Sequence, residues 1–460
     1  MRCLKIFFRF VLICIFIQMS TLQANDKFSQ ARRYEPVILN GSEVPQLKGV
    51  RPDLITAYRY NAAKKDWKQI AVQVDERKYM DLSVPPGKRK HPAAEYVYVG
   101  FSGGILGSMM ARDDDPMFDE NDEIVFMLED AGDRAPKSIP GPSGDRSPGV
   151  EIQVSDPLSG AKAFVYLFRG KADPSLNGIT YRLTDNREHS AVIETDYYRI
   201  NYSRRWVLDQ ILIKPKLGGK GVDLIDRLKF RAYSLTPKPT KKLGNFNETE
   251  DYWSDGPGDC GFSSSGCSWY LGHKVGPVRA IRMVQGAASG PTTSYFAFFY
   301  RRMMTMKINY RVHAMPDIWC YMDYDADIGN ARFYNSENSD IKIDGRQDRL
   351  RNSTGMWAQM SCDEGSIVTW LDLHNFQNLG RKTQITPYYI DDQGYNDLTG
   401  SDGKAIGNHG VRISNIPSTD RVNAVVAWYK IFLLPANTAN IGQGFSDISK
   451  SPLRVHATLR

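Results

Sequence analysis

Along most of the chain, apolar residues recur at every second position, the period of strands that press one face against a core. In KQIAVQVDE, Ile70, Val72 and Val74 fall on one side, and Gln69, Ala71 and Gln73 on the other. The run LITAYRY precedes it across NAAKKD, and this pattern predicts a hairpin. Three segments are apolar on both faces: EIVFML (123–128), AFVYLF (163–168) and VNAVVAWYKIFLL (422–434). Such runs belong to sheets covered on both sides. Between the strands lie turn-forming clusters such as SVPPGKRKHP and PKSIPGPSGDRSPG. Helical periodicity is scarce; the best short helix lies near TANIGQGFSDIS, just before a last strand, LRVHATL. The predicted fold is all-β.

A chain of 460 residues is too long for one ordinary sandwich. GKADPSLNGITYRLTDNREHS follows a finished strand and places a boundary near residues 170–190. The expected units are an N-terminal β-sandwich over 25–185 and a larger two-sheet unit, a supersandwich or jelly-roll-like stack, over 186–460.

The first 24 residues read as a signal peptide. Arg2, Lys5 and Arg9 form a basic start, residues 10–17 an apolar stretch, and Ala24 a small residue at the cleavage point. Arg9 interrupts the apolar run well short of the roughly 20 residues a spanning helix needs. Ile13 stands where a lipoprotein site before Cys14 would carry a small residue. No later run is long and apolar enough to span, so the expected product is exported, periplasmic or extracellular. Net charge is +7, or +4 once the three basic signal residues are removed. Both signs are interspersed, which is a solvated surface and not the basic stripe of a nucleic-acid binder.

Cys260, Cys267, Cys320 and Cys362 remain after cleavage. An even count in an exported chain reads as disulfides, Cys260–Cys267 across DCGFSSSGCSW and Cys320–Cys362 between distant strands. A four-thiolate zinc site is the weaker alternative, because no two close CxxC pairs occur.

The segments IAVQVDER, NDEIVFMLEDAGDRAP, VGPVRAIR and IGNHGVRI resemble recurring pieces of an uncharacterised family of exported bacterial β-rich proteins with no assigned activity. That resemblance is scattered over most of the chain. It implies export and a β-rich fold, and it transfers no catalytic residue.

Candidate chemistry is concentrated in a few stretches. In WCYMDYDADIGN, Asp323, Asp325 and Asp327 would share one strand face and need water, a basic partner or a cation such as calcium. An EF-hand is excluded, since glycine stands seventh and Tyr334 occupies the twelfth position. A hairpin with TMKINYRVH would set Lys307 against Asp323 and Arg311 against Trp319. The acidic run ARDDDPMFDENDEIVFMLEDAGD is a second possible calcium loop or a solvated cap on a core strand. YYIDDQGYNDLTGSDGKAIGNHG mixes Tyr395 and Asp397 with further aromatics and carboxylates, a mixture suited to sugar rings. VTWLDLH sets Trp370, Asp372 and His374 on one predicted strand face, where His374 could move a proton. No G-x-S-x-G elbow, HExxH, Walker loop or dinucleotide glycine motif occurs.

Three functions follow from these residues. The first is binding of a glycan or other envelope or extracellular polymer, without catalysis, through Trp319, Asp323, Tyr395 and Asp397. The second is a carbohydrate-active lyase or hydrolase using Tyr310, Arg311 and His374. The third is a structural or assembly component of the cell envelope. If the protein binds a glycan, the loop at 388–410 and the aspartates should border one cleft.

Overall fold

The computed structural model describes residues 24–82, 94–104, 107, 115–142, 149–233, 246, 248–255, 268–286, 293–312, 314–377, 379–380, 382–395, 397, 402–419 and 425–460. The signal segment up to residue 23 and both Cys260 and Cys267 lie outside the described residues.

The protein is all-β, built from antiparallel sheets in two sandwiches. The first pairs a five-stranded with a three-stranded sheet around Val37, Leu39, Ile124, Phe126, Ile152 and Val165. Its predicted hairpin forms between Ile55–Asn61 and Asp66–Ile70. The strand character of KQIAVQVDE is split, however. The chain leaves the five-stranded sheet after Ile70 and enters the three-stranded one at Gln73–Asp75, so one alternating run serves both sheets.

The second sandwich packs an eight-stranded sheet against a nine-stranded one. Their shared core includes Ile200, Phe230 and Met322 from the first, and Ile308, Ile367 and Ile431 from the second. Ile179–Asp185 pairs with Ser190–Thr195 at the edge of the eight-stranded sheet. The final strand, Arg454–Leu459, returns to the first sandwich and pairs with Val150–Ser155. The helix expected near the C-terminus runs Gly442–Lys450 and buries Phe445 and Ile448 beside Tyr34 and Phe432.

The outer face of the nine-stranded sheet carries the contact between the sandwiches. Val97, Tyr98 and Phe101, in and just after a two-stranded sheet formed by Arg77–Asp81 and Ala94–Tyr98, pack with Phe296, Phe298 and Met303 of the second sandwich. Arg279, fully buried, anchors this contact: its Nε donates to Asp75 (2.9 Å) and its terminal nitrogen to Glu123 (2.5 Å). Three separate stretches of chain therefore meet at one guanidinium, through Asp75, Glu123 and Arg279. Burial alone would push the Asp75 carboxyl up, but Lys274 and Arg279 overcome it and hold its pKa at about 2.

Two expected pairings are corrected. Met303–Tyr310 and Met315–Tyr324 do not form a hairpin; they lie in opposite sheets. The short link crosses the sandwich, so Ile308 and Tyr310 meet Ile318 and Cys320 in the core. Lys307 accordingly faces Phe296 and Trp428, and not Asp323. Cys320 and Cys362 are free, buried thiols and not a disulfide. They belong to facing sheets, which stack about 10 Å apart, whereas a disulfide spans Cα atoms about 4.4–6.8 Å apart. Burial raises the pKa of both thiols. Neither should react with a thiol reagent in the native protein, and both should react after denaturation without reductant, which peptide mapping of the labelled chain will check.

Candidate functional site

Asp323, Asp325 and Asp327 do not share a face. The strand ends at Tyr324, so Asp323 stays in the sheet while Asp325 and Asp327 fall in the turn beyond it. There the Asp327 backbone N–H donates to Asp325 Oδ1 (2.8 Å), closing the turn. Asp323 is fully buried, pairs with Lys229 Nζ, and accepts the Ile406 N–H (3.1 Å). Asp397 pairs with the same ammonium and with Arg231, and it accepts the Tyr321 hydroxyl (3.1 Å). Glu250 lies 3.2 Å from Arg231. Burial works against the Lys229 ammonium, but Asp323 and Asp397 outweigh it and hold its pKa above the ordinary lysine range. The expected calcium site is thereby corrected: among the described residues no three metal-type side chains are placed to hold an ion, and lysine supplies the positive charge. The signal for it was DRLKFR (226–231), where Arg227, Lys229 and Arg231 alternate with core residues on the neighbouring strand.

Of the expected ligand-binding residues, Trp319, Asp323 and Asp397 lie on one side of the eight-stranded sheet. Trp319 and Asp323 lie on the same strand face as Tyr321, which reaches Asp397. Trp319 meets Tyr388 edge-on at 4.9 Å and carries Arg412 at 5.5 Å over its ring. Tyr395 is half-buried at the turn made by its N–H to the Asp392 carbonyl (3.0 Å). The place where they meet is a closed ion-pair cluster, with Asp323 and Asp397 both fully buried.

The expected catalytic residues do not form one site. Tyr310 is buried in the core against Phe376, while Arg311, the next residue, lies 3.9 Å from Glu95 on the opposite face. The strand carrying Trp370 and Asp372 ends at Asp372, and His374 opens the short helix His374–Gln377. The His374 side chain lies outside the described residues. In the second acidic run, Asp119 and Asp122 accept local backbone N–H groups, forming a self-capped turn.

An open site lies instead over the outer face of the nine-stranded sheet. Strand register sets two rows there. Phe298, Thr305, Lys430 and Trp370 lie side by side across four strands, and Phe296, Lys307, Trp428 and Asp372 form the next row. The alternation in WYKIF and VTWLD puts these side chains on one face and Tyr429, Ile431 and Leu371 in the core. Above the first row is a cleft of about 500 Å³, walled by Glu35–Ile38, Tyr98 and the segment after the last helix. A second cavity of about 620 Å³ lies over Trp370 and Asp372, beneath Ser449 and Lys450. The two adjoin: Pro452 borders both, and the Lys430 ammonium of the first stands 5.2 Å over the Trp370 ring of the second.

Electrostatics divide the charged groups. Arginines hold the carboxylates of the cleft wall: Arg32 reaches Glu35 (2.6 Å), and Arg77 and Arg279 reach Glu123 (2.6 and 2.5 Å). The lysines are held more loosely. Lys430 is 3.8 Å from Glu35, and Lys307 sits between the Phe296 and Trp428 rings at 5.6 and 6.0 Å. Burial lowers the pKa of both lysines, and their carboxylate neighbours only partly offset it. Two buried polar atoms at the second cavity, Trp370 Nε1 and Ser449 Oγ, have no hydrogen-bond partner among the described residues. A buried donor without a partner costs roughly 1–3 kcal/mol.

No family model and no curated protein matches the chain. Among solved structures, an Escherichia coli protein named as an aldose 1-epimerase is 7% identical with a TM-score of 0.29, covering 56% of this chain and 99% of that one. A Salmonella typhimurium protein named as a mutarotase is 10% identical with a TM-score of 0.28, covering 56% and 94%. A copper-containing benzylamine oxidase from Hansenula polymorpha is 10% identical with a TM-score of 0.27, covering 90% and 81%. Among the described residues no helix is long and apolar enough to cross a membrane.

Proposed function

We propose that this protein, exported to the periplasm or beyond, binds a glycan or other extracellular polymer along the double cavity over the nine-stranded sheet. The observation that carries this reading is the unmet Trp370 Nε1 and Ser449 Oγ beside the Trp370 ring. A sugar offers an apolar C–H face to an aromatic ring and hydroxyl oxygens to such donors. Two tryptophans on adjacent strands, Trp370 and Trp428, would let consecutive rings engage, as a polymer requires.

Trp428 is only partly buried, so its loss should spare the fold. Trp428→Ala is expected to weaken oligosaccharide binding by about tenfold or more, the equivalent of ~1.4 kcal/mol, while Trp428→Phe retains most of it. Calorimetric titration will read both. Unchanged affinity in Trp428→Ala would move the site elsewhere.

A catalytic alternative has one supporting observation. Burial raises the Glu35 pKa and lowers that of Lys430, which brings acid and base toward proton exchange at 3.8 Å. Product analysis after prolonged incubation with oligosaccharide separates it from binding alone.

A further inference from the structure

We infer that the polymer is acidic, a glycan bearing uronate carboxylates recognised by Lys430 and Lys450; this rests on the glycan-binding reading above. The warrant is the order of groups along the cleft. Lys307 stands directly opposite Trp428, and Lys430 opposite Trp370, so each ring has an ammonium beside it on the next strand. Lys307 and Lys430 are diagonal neighbours, roughly 7–8 Å apart at the backbone. Lys450, exposed at the end of the last helix, lines the second cavity beyond Trp370. Lys430 thus lines the first cavity and Lys450 the second, while Lys307, held between the Phe296 and Trp428 rings, lines neither.

Charge accounting points the same way. Arginine takes a carboxylate with a two-pronged grip, and here the arginines engage Glu35, Glu123 and Asp75. Glu43 accepts the Asn40 N–H (2.8 Å) in a local cap, and Asp372 lies across from Trp428 as the acidic member of its row. Lys307 has no ion pair within 4 Å among the described residues; Glu95 and Glu123 act on it only at longer range. Lys430 lines the cleft with its desolvation only partly offset by Glu35 at 3.8 Å, and a bound carboxylate would offset it further. On a pyranose the uronate carboxylate projects from the ring edge. A ring lying on Trp428 would direct that carboxylate toward a flanking ammonium. A neutral sugar would use the rings and leave both lysines as they are.

The test uses the mature full-length protein and two probes of equal length, an oligogalacturonate and the same oligomer with its carboxyl groups reduced to alcohols. At low ionic strength the acidic oligomer should bind about tenfold or more tightly than the neutral one, and the gap should close as salt is added. Lys430→Met should remove most of that gap. Lys450→Met is an exposed substitution that tests the same point if a buried variant does not fold. Equal affinity for the two oligomers, or a gap that persists in the lysine variants, overturns the acidic assignment. Neutral binding that is lost in Trp428→Ala would then still support the glycan-binding reading. If neither oligomer binds, that reading fails and the acidic assignment falls with it.

Discussion

Lys229→Met should destabilise the protein by about 3–5 kcal/mol, the usual cost of removing one partner from a buried ion pair. The lysine is fully buried, and its ammonium is shared by Asp323 and Asp397, which are fully buried as well. Without it, Arg231 still answers Asp397, but among the described residues Asp323 keeps only the Ile406 N–H, and Asp226, 3.2 Å from the ammonium, loses its ion pair. The replacement of Lys229 by an apolar side chain of similar length adds little strain, so the measured loss reports the uncompensated charge. Combining Lys229→Met with Asp323→Leu should restore part of the stability, because no charge is then stranded at that position. Urea unfolding at neutral pH will measure both. A loss below about 1 kcal/mol for the single variant would show that water enters the cluster and screens it.

Acid should weaken the protein through His409 between pH 6.5 and 4, against a smaller opposing contribution from Asp223, whose carboxyl pKa burial raises to about 6. His409 is buried between the large sheets, stacked on Tyr324 at 5.4 Å, with Nε2 3.0 Å from Thr369 Oγ1. Burial lowers its pKa from 6.5 to about 4. The folded state therefore keeps this ring neutral where the unfolded chain already binds a proton. Its contribution is fully present above pH 6.5 and is lost as pH falls toward 4. The loss amounts to about 3 kcal/mol at ~1.4 kcal/mol per pH unit. His273, whose pKa burial and the nearby Arg282 also lower to about 4, acts in the same direction and less strongly because it is more exposed. Asp75 extends the decline at lower pH, since its pKa of about 2 lies below the usual 3.8. Thermal melting across this range should show the fall, and His409→Gln should flatten most of it above pH 4. A melting temperature that is level between pH 6.5 and 4 in the parent protein would refute the assignment.

Local pattern and distant partners contributed differently to what could be read in advance. The period of two made the all-β class legible, and it placed the Ile55–Asn61 hairpin, the Gly442–Lys450 helix and the last strand. It also put Trp370 and Asp372 on one face, which they share in the site. These features depend on neighbours in sequence, where alternation, turn residues and helix spacing act directly. A two-residue period says which side chains share a face but does not name the strand that lies beside them. That is why Met303–Tyr310 and Met315–Tyr324, four residues apart in the chain, could occupy opposite sheets. It is also why Asp323 could be read as an open carboxylate, when its partner, Lys229, lies 94 positions earlier. By itself the sequence determined the strands, their inward faces and the residues able to carry charge or stack on a ring. Tertiary structure alone decided which charges cancel in the interior and which stay beside a tryptophan in a cleft, because burial and pairing arise only when distant strands are brought together.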